Sequence, residues 1–384
     1  MKIIIAPQAF KGSISAIKVA EAMSEGALKI FPKAKIVICP VADGGDGTLE
    51  TLVDISNGEI NKCSVHNPMG KIIEAEWGAM GDGKTAVIEM ARSSGLALLD
   101  PKKLNPLKAS TYGLGELIQD ALNKGFKKFI IGIGGSATND AGAGMAQALG
   151  VKLLDGKGVE IAPGGINLMN LSTIDMSGID ERILDSDFQI ACDVTNPLTG
   201  PEGASEVYGP QKGATRKMID DLDASLQHFN EIVIKTFNKD LSKVPGAGAA
   251  GGLGAGMIAF TDATLRTGID IVLDAVELNE KIANADLVIT GEGAMDFQTI
   301  YDKAPIGVAK IAKRYGIPTI GISGMLGKNY QIVHQHGIDA AVSIVTGPMT
   351  LPEASEKSYE LISNSVSECL RLINIGFKIK NPGK

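Results

Sequence analysis

The 384-residue sequence predicts an α/β protein whose two chain ends build one mostly parallel sheet and whose middle forms an inserted domain. Three observations predict this. Short apolar runs alternate with helical periodicities near both ends of the chain. Loops of Gly, Asp and Pro follow those runs. The middle changes to two short strands around a Gly-Asp-Gly turn, which is hairpin spacing.

The first strand is Ile3-Ile4-Ile5, leading into Ala6-Pro7. Ala16, Val19, Ala20, Met23, Ala27 and Ile30 then recur at helical spacing, with Ser13 or Ser15 as the cap. A second strand over 36–39 runs into Asp43-Gly44-Gly45-Asp46-Gly47. In the middle, strands over 72–77 and 85–90 flank Gly81-Asp82-Gly83. A strand over 129–133 meets Gly134-Gly135-Ser136, and a second glycine-rich segment covers 246–256. Late in the chain, a strand over 287–290 meets a loop at Gly291-Glu292-Gly293. A helix over 305–315 stops at Gly316 and Pro318. Strands over 319–323 and 340–345 follow. A last helix carries Tyr359, Ile362, Val366, Cys369, Leu370 and Ile373 on one face and ends at Gly376. The expected division is a Rossmann/flavodoxin-like parallel-sheet domain over 1–62 and 285–384, with a mixed α/β domain over 63–284 inserted into it.

Composition narrows the function classes. Apolar residues make up 44% and charged residues 21%, as in an ordinary folded enzyme. Glycine is the outlier, with 47 residues and no collagen period. A net charge of −7 gives no electrostatic footprint for nucleic acid. Cys39, Cys63, Cys192 and Cys369 are scattered, which argues against a disulfide or zinc framework and fits a reducing compartment. No apolar run approaches the ~18 residues of a membrane span, and the first residues do not read as a signal peptide. A cytoplasmic enzyme is the expectation.

Several motifs invite chemistry. Residues 78–85 match the P-loop pattern, but the strand-like residues after Lys84 make a hairpin the better reading. Gly132, Gly134 and Ala137 with Asp155 downstream resemble a dinucleotide fingerprint; Gly246, Gly248 and Gly251 repeat the spacing after a poor strand. Both loops share one physical property: glycine lets backbone N–H groups approach an anion. Asp43, Asp46, Asp140, Asp193, Glu292 and Asp296 stand beside glycines or at strand ends. There they could hold Mg²⁺ or accept a hydroxyl proton, although Asp also serves turns. Lys11, Lys212 and Lys303 lie in loops, where lysine pairs with phosphate. Ser136 lacks a nucleophile elbow, and there is no H-E-x-x-H or local cysteine signature.

Taken together, these segments resemble the class I glycerate kinases over nearly the whole chain. The resemblance rests on Ala6-Pro7 with Phe10-Lys11-Gly12-Ser13, on Pro40 to Thr48, and on Asn67-Pro68-Met69-Gly70. It continues through Gly81 to Ala91, Gly132 to Thr138, Gly144 to Gly150, Ala191 to Leu198 and Gly209 to Thr215. Gly246 to Gly254, Ile289 to Gly293, Asp296, Gln298-Thr299 and Lys303-Ala304-Pro305 complete it. Gln8-Ala9, Ala294 and Tyr301-Asp302 depart from the family pattern and bear on substrate contacts.

The resemblance implies ATP-dependent phosphorylation of D-glycerate with Mg²⁺, with the 2-phosphate favoured over the 3-phosphate. It also implies an active site in a cleft between two α/β domains, in a monomer or homodimer. On that footing, Gly134, Gly135 and Ser136, together with Gly248, Gly251 and Gly252, are expected to hold ATP phosphates. Gly291, Glu292 and Gly293 are assigned to the same ligand. Lys11 and Lys303 neutralise charge on the transferring group or the substrate. Asp193 is the first choice for general base or metal anchor, with Asp43 and Asp296 next; the ligands of the metal stay open. A dinucleotide-dependent oxidoreductase and a non-enzymatic sensor of sugar acids or nucleotides are the alternatives.

Overall fold

The computed structural model describes residues 1–42, 47–301 and 303–380. Among them are thirteen strands: β1 Lys2–Pro7, β2 Lys35–Ile38, β3 Glu59–His66, β4 Ile72–Ala79, β5 Thr85–Glu89, β6 Lys128–Gly132, β7 Lys152–Leu154, β8 Thr173–Asp175, β9 Asp187–Ala191, β10 Thr264–Arg266, β11 Leu287–Met295, β12 Thr319–Leu326 and β13 Ala340–Ser343. The chain is α/β and divides into two compact units, Met1–Asp43 with Ile269–Lys384, and Gly44–Gly268.

The first unit holds a five-stranded, all-parallel sheet in the order β13-β12-β11-β1-β2. The helix Ala16–Ile30 follows β1, capped by Ser15, whose side chain accepts from the Lys18 N–H at 3.4 Å. Val19, Ala20, Met23 and Ala27 bury one face of it against Ile3, Ile5, Ile289 and Ile322 of the sheet and Ile362, Val366 and Leu370 of the last helix. That helix, Ser358–Lys380, runs through Gly376 instead of ending there. An exposed glycine near a helix end costs only about 1 kcal/mol.

The two helices meet at Gly26, where a Cβ would lie 2.3 Å from the Ser363 carbonyl oxygen. Backbone cannot retreat as a flexible side chain can. Gly26→Ala is therefore expected to cost about 1–3 kcal/mol, read as a lowered Tm; an unchanged Tm contradicts this packing.

The second unit is mixed, with sheet order β10-β9-β6-β5-β4-β3. β5, β6, β9 and β10 run parallel, and the β3–β4–β5 edge is antiparallel. β7 and β8 form a separate antiparallel pair. Trp77, Phe129, Phe188, Phe229 and Phe260 fill the core. The P-loop-like segment is the turn between β4 and β5: Met80 N–H bonds the Thr85 carbonyl, and Asp82 accepts from the Lys84 and Thr85 N–H groups.

The unit boundaries fall earlier in the chain than the expected 62/63 and 284/285. The helix Thr48–Ser56 belongs to the second unit because it lies on β4 at Gly78, where a Cβ would meet Val53 at 2.3 Å. The helix Gly268–Ala275 packs on the first unit: Ile269 and Leu273 close over Gly307 of the helix Ala304–Arg314. Among the described residues, no helix is long and apolar enough to cross a membrane.

Candidate functional site

In the first unit, β1 leads to β2 on one side and β11 leads to β12 and β13 on the other. The carboxyl ends of β1 and β11 therefore form a topological switch point, where open parallel sheets bind ligands. Gln8, just after β1, is buried and donates its N–H to the Gly291 carbonyl at 2.8 Å. The loop beyond it turns at Gly12, whose φ of +76° suits glycine, and brings the exposed Lys11 beside Gly293.

Gly291, Glu292 and Gly293 lie inside β11, which corrects the expected loop. At Gly291 a Cβ would sit 2.1 Å from the Ile322 carbonyl oxygen, so glycine there serves close strand packing. Glu292 is buried and receives the Thr299 hydroxyl at 2.8 Å. Lys303, at the N-cap of the helix Ala304–Arg314, places Nζ 3.6 Å from the other carboxylate oxygen. Burial raises the Glu292 pKa, while Lys303 and the Thr299 bond hold it down. Asp296 opens the short turn Phe297–Ile300: it accepts from the Gln298 N–H at 2.7 Å and donates its own N–H to Thr299 Oγ1. Glu292, Asp296, Thr299 and Lys303 thus form one hydrogen-bonded and ionic network at the end of β11.

In the second unit, parallel β5, β6 and β9 end side by side at Glu89, Gly132 and Ala191. Gly134 and Gly135 follow β6 and are exposed; Gly135 has φ +71°. The loop is tied down by Leu96 N–H to the Gly135 carbonyl and by Ala137 N–H to the Ser94 carbonyl, and Ser136 is buried. Asp193 follows β9, is exposed, and accepts from the Gly268 N–H at 2.7 Å. Two signals lie outside the sequence expectation. Glu89 accepts from the Gly47 and Leu49 N–H groups, both at 3.2 Å, at the start of the helix Thr48–Ser56. Arg92 bonds Glu89 at 3.0 Å and also pairs with Glu50. Glu89 ends β5 and Arg92 stands three residues on, but their partners Gly47, Leu49 and Glu50 are distant in the chain, so no local pattern announces the network.

Gly248, Gly251 and Gly252 are not an open loop. Gly248 caps the helix Ala249–Thr261, and Gly251 and Gly252 lie within it in left-handed conformation. A Cβ would meet the Pro197 carbonyl oxygen at 2.1 Å from Gly248 and the Thr138 carbonyl oxygen at 2.1 Å from Gly251. Gly252 is closed in by Leu198, Ala141 and Leu226. Gly251 and Gly252 let the helix seat against residues 138–141, and Gly248 lets its start lie against Pro197. The dinucleotide reading loses its geometry as well. No helix begins at Ala137, and Asp155 closes a tight turn by accepting from Lys157 and Val159 N–H groups. Asp43 and Asp46 lie outside the described residues.

Asp140 is wholly buried and accepts from the Thr111 N–H and hydroxyl at 2.8 and 2.9 Å. Lys212 is buried and donates to the Thr138 carbonyl at 2.6 Å. Burial pushes the Lys212 ammonium from its ordinary 10.5 down to about 7, with Asp140 opposing. Between those values the unfolded chain binds more protons than the folded one. The cost of burying the charge is full below about pH 7 and fades as pH rises toward 10.5. Lys212→Met removes this titration. The Tm advantage of the wild-type chain over that variant is expected to widen across the interval; a constant difference contradicts it.

Residues 3–374 match the model of the Glycerate kinase family. The chain is 51% identical over 375 residues to a Bacillus subtilis (strain 168) protein named glycerate kinase, covering 98% of each. It is 50% identical over 378 residues to the Escherichia coli (strain K12) glycerate 2-kinase, covering 98% of this chain and 99% of that one. A crystal structure of a Salmonella typhimurium LT2 protein described as glycerate kinase 2 superposes with a TM-score of 0.91 at 47% identity, covering 98% and 99% of the two chains. With the match running almost from end to end, the chain belongs to the glycerate kinase family.

Proposed function

We propose that the chain transfers the γ-phosphate of ATP to the 2-hydroxyl of D-glycerate, giving 2-phosphoglycerate and ADP. The observation that carries this reading is the end-to-end family match over residues 3–374. The name of the Escherichia coli relative, glycerate 2-kinase, supports the position of transfer. The absence of a membrane-crossing helix among the described residues and the four unpaired cysteines support a cytoplasmic location.

Phosphoryl transfer depends on positioning and charge neutralisation more than on covalent help. The substrate hydroxyl oxygen bonds to the γ-phosphorus while the bridge to ADP breaks, and the hydroxyl proton must leave. Asp193 supplies a negative charge at the end of β9, either to take that proton or to hold Mg²⁺. Mg²⁺ is usually bound by one or two carboxylates together with phosphate oxygens and water. An exposed carboxylate such as Asp193 fits that sparse donor set. When bound, the ion neutralises phosphate charge. Lys11 and Lys303 add positive charge at the switch point of the first unit. Gly134 and Gly135 offer an exposed glycine turn to phosphate oxygens, with Ser136 anchoring it. Gly248, Gly251 and Gly252 contribute by seating the backbone that follows that turn. Glu292 holds Lys303, and Asp296 holds Thr299 against Glu292.

The test is ADP release followed with D-glycerate, with L-glycerate and without acceptor. Release that requires D-glycerate is expected. Release indifferent to the acceptor, or none with D-glycerate, overturns the proposal.

A further inference from the structure

The first unit encloses a cavity of about 500 Å³, inside the size range of small-molecule sites. It opens at the carboxyl ends of β11, β12 and β13, with Gly293, Leu326 and Ser343 among its lining residues. The helix Leu351–Glu356 forms another wall. Its surface is mainly apolar. Met325, Val345 and Leu351, all lining residues, are 57%, 38% and 80% exposed, an unusual gathering of large apolar side chains at one mouth. Among the described residues, no lining residue is acidic, and Lys11 is the one charged group. Two lining hydroxyls are already occupied: Ser13 donates to the Ser355 carbonyl at 3.3 Å and Ser343 to the Gly324 carbonyl at 3.1 Å.

These features discriminate between the two substrates. D-glycerate carries oxygen on every carbon, so an apolar wall would leave its polar groups without partners. A nucleobase with its ribose has flat apolar faces, few polar edges and an anionic tail on one side. The cavity has a similar asymmetry, mainly apolar and hydroxyl-lined walls with Lys11 as its charged lining residue.

We propose that this cavity takes the base and ribose of ATP, with the phosphate chain leaving past Lys11 and Gly293. The proposal rests on the phosphoryl-transfer reading above for the identity of the nucleotide. It places the nucleoside on the walls formed by Ile344, Leu351 and Ala354, with Lys11 at the edge that the phosphates pass.

ADP titrated calorimetrically into the full chain tests it without turnover. Ala354→Trp fills the cavity and is expected to weaken ADP binding tenfold or more. The KM for ATP rises with it, and the KM for D-glycerate stays within twofold. Leu351→Ser, at a position 80% exposed and so harmless to folding, is expected to weaken ADP binding several-fold. ADP affinity within twofold of wild type in both variants overturns the proposal, as does a rise confined to the KM for D-glycerate. A wild-type chain that binds no ADP also overturns it. A chain whose ADP binding depends on these positions, but which leaves D-glycerate unphosphorylated, supports the cavity and refutes the kinase reading.

Discussion

Asp193→Asn is expected to lower turnover of D-glycerate by about 10²-fold or more, the range for losing a general base or a charge-bearing anchor. The substitution isolates charge. The asparagine carbonyl oxygen can still accept from the Gly268 N–H, which Asp193 receives at 2.7 Å, so the loop after β9 keeps its anchor. An unchanged Tm should accompany the loss. Steady-state ADP release in a coupled assay reads it. Turnover within a few-fold of wild type removes Asp193 from the chemistry, whether as base or as metal anchor.

Lys303→Ala is the second large effect, a loss of about 10²-fold in kcat/KM. Two causes must be separated. Lys303 lies 3.6 Å from the buried Glu292, so its removal leaves a buried carboxylate without its cation. That alone could disturb the end of β11. Glu292→Gln combined with Lys303→Ala removes the stranded charge while keeping an acceptor for the Thr299 hydroxyl. If Lys303 serves the reacting phosphate, the double variant recovers stability and stays slow. If it acts only by balancing Glu292, the double variant recovers activity too, and Lys303 loses its assigned role.

Much of the architecture was legible because its signals are local. Ile3 to Ile5 and the Ala16 to Ile30 periodicity depend on near neighbours, and the structure shows both; of the two expected caps, Ser13 or Ser15, it selects Ser15. The turn at Gly81 to Gly83 could be separated from a P-loop by the strand after it. Glycine was harder to read. In sequence it signals a turn, yet at Gly291 and Gly251 the glycine exists because another backbone passes close by, from Ile322 and from Thr138. Those partners are distant in the chain, so no local pattern announces them. The same holds for the unit boundaries, set by Gly78 against Val53 and Gly307 against Ile269. The helix Arg216–Phe237 is hard to read in the sequence, although Ile219, Leu222, Leu226, Phe229 and Val233 mark its buried face. Its many charged residues hid the stripe. Among the candidate site residues, Glu292 and Asp296 stand out by their places beside a glycine or at a strand end, and Lys11 and Lys303 by lying in loops. The Glu89–Arg92 network did not, because its partners Gly47, Leu49 and Glu50 meet it only in the folded unit.

The most direct measurement is the identity of the product. The full chain is incubated with ATP, Mg²⁺ and D-glycerate, and the phosphorylated acid is identified by phosphorus and carbon NMR. The account predicts 2-phosphoglycerate, formed together with ADP and dependent on the D enantiomer. No phosphorylated glycerate, or 3-phosphoglycerate in its place, would contradict it.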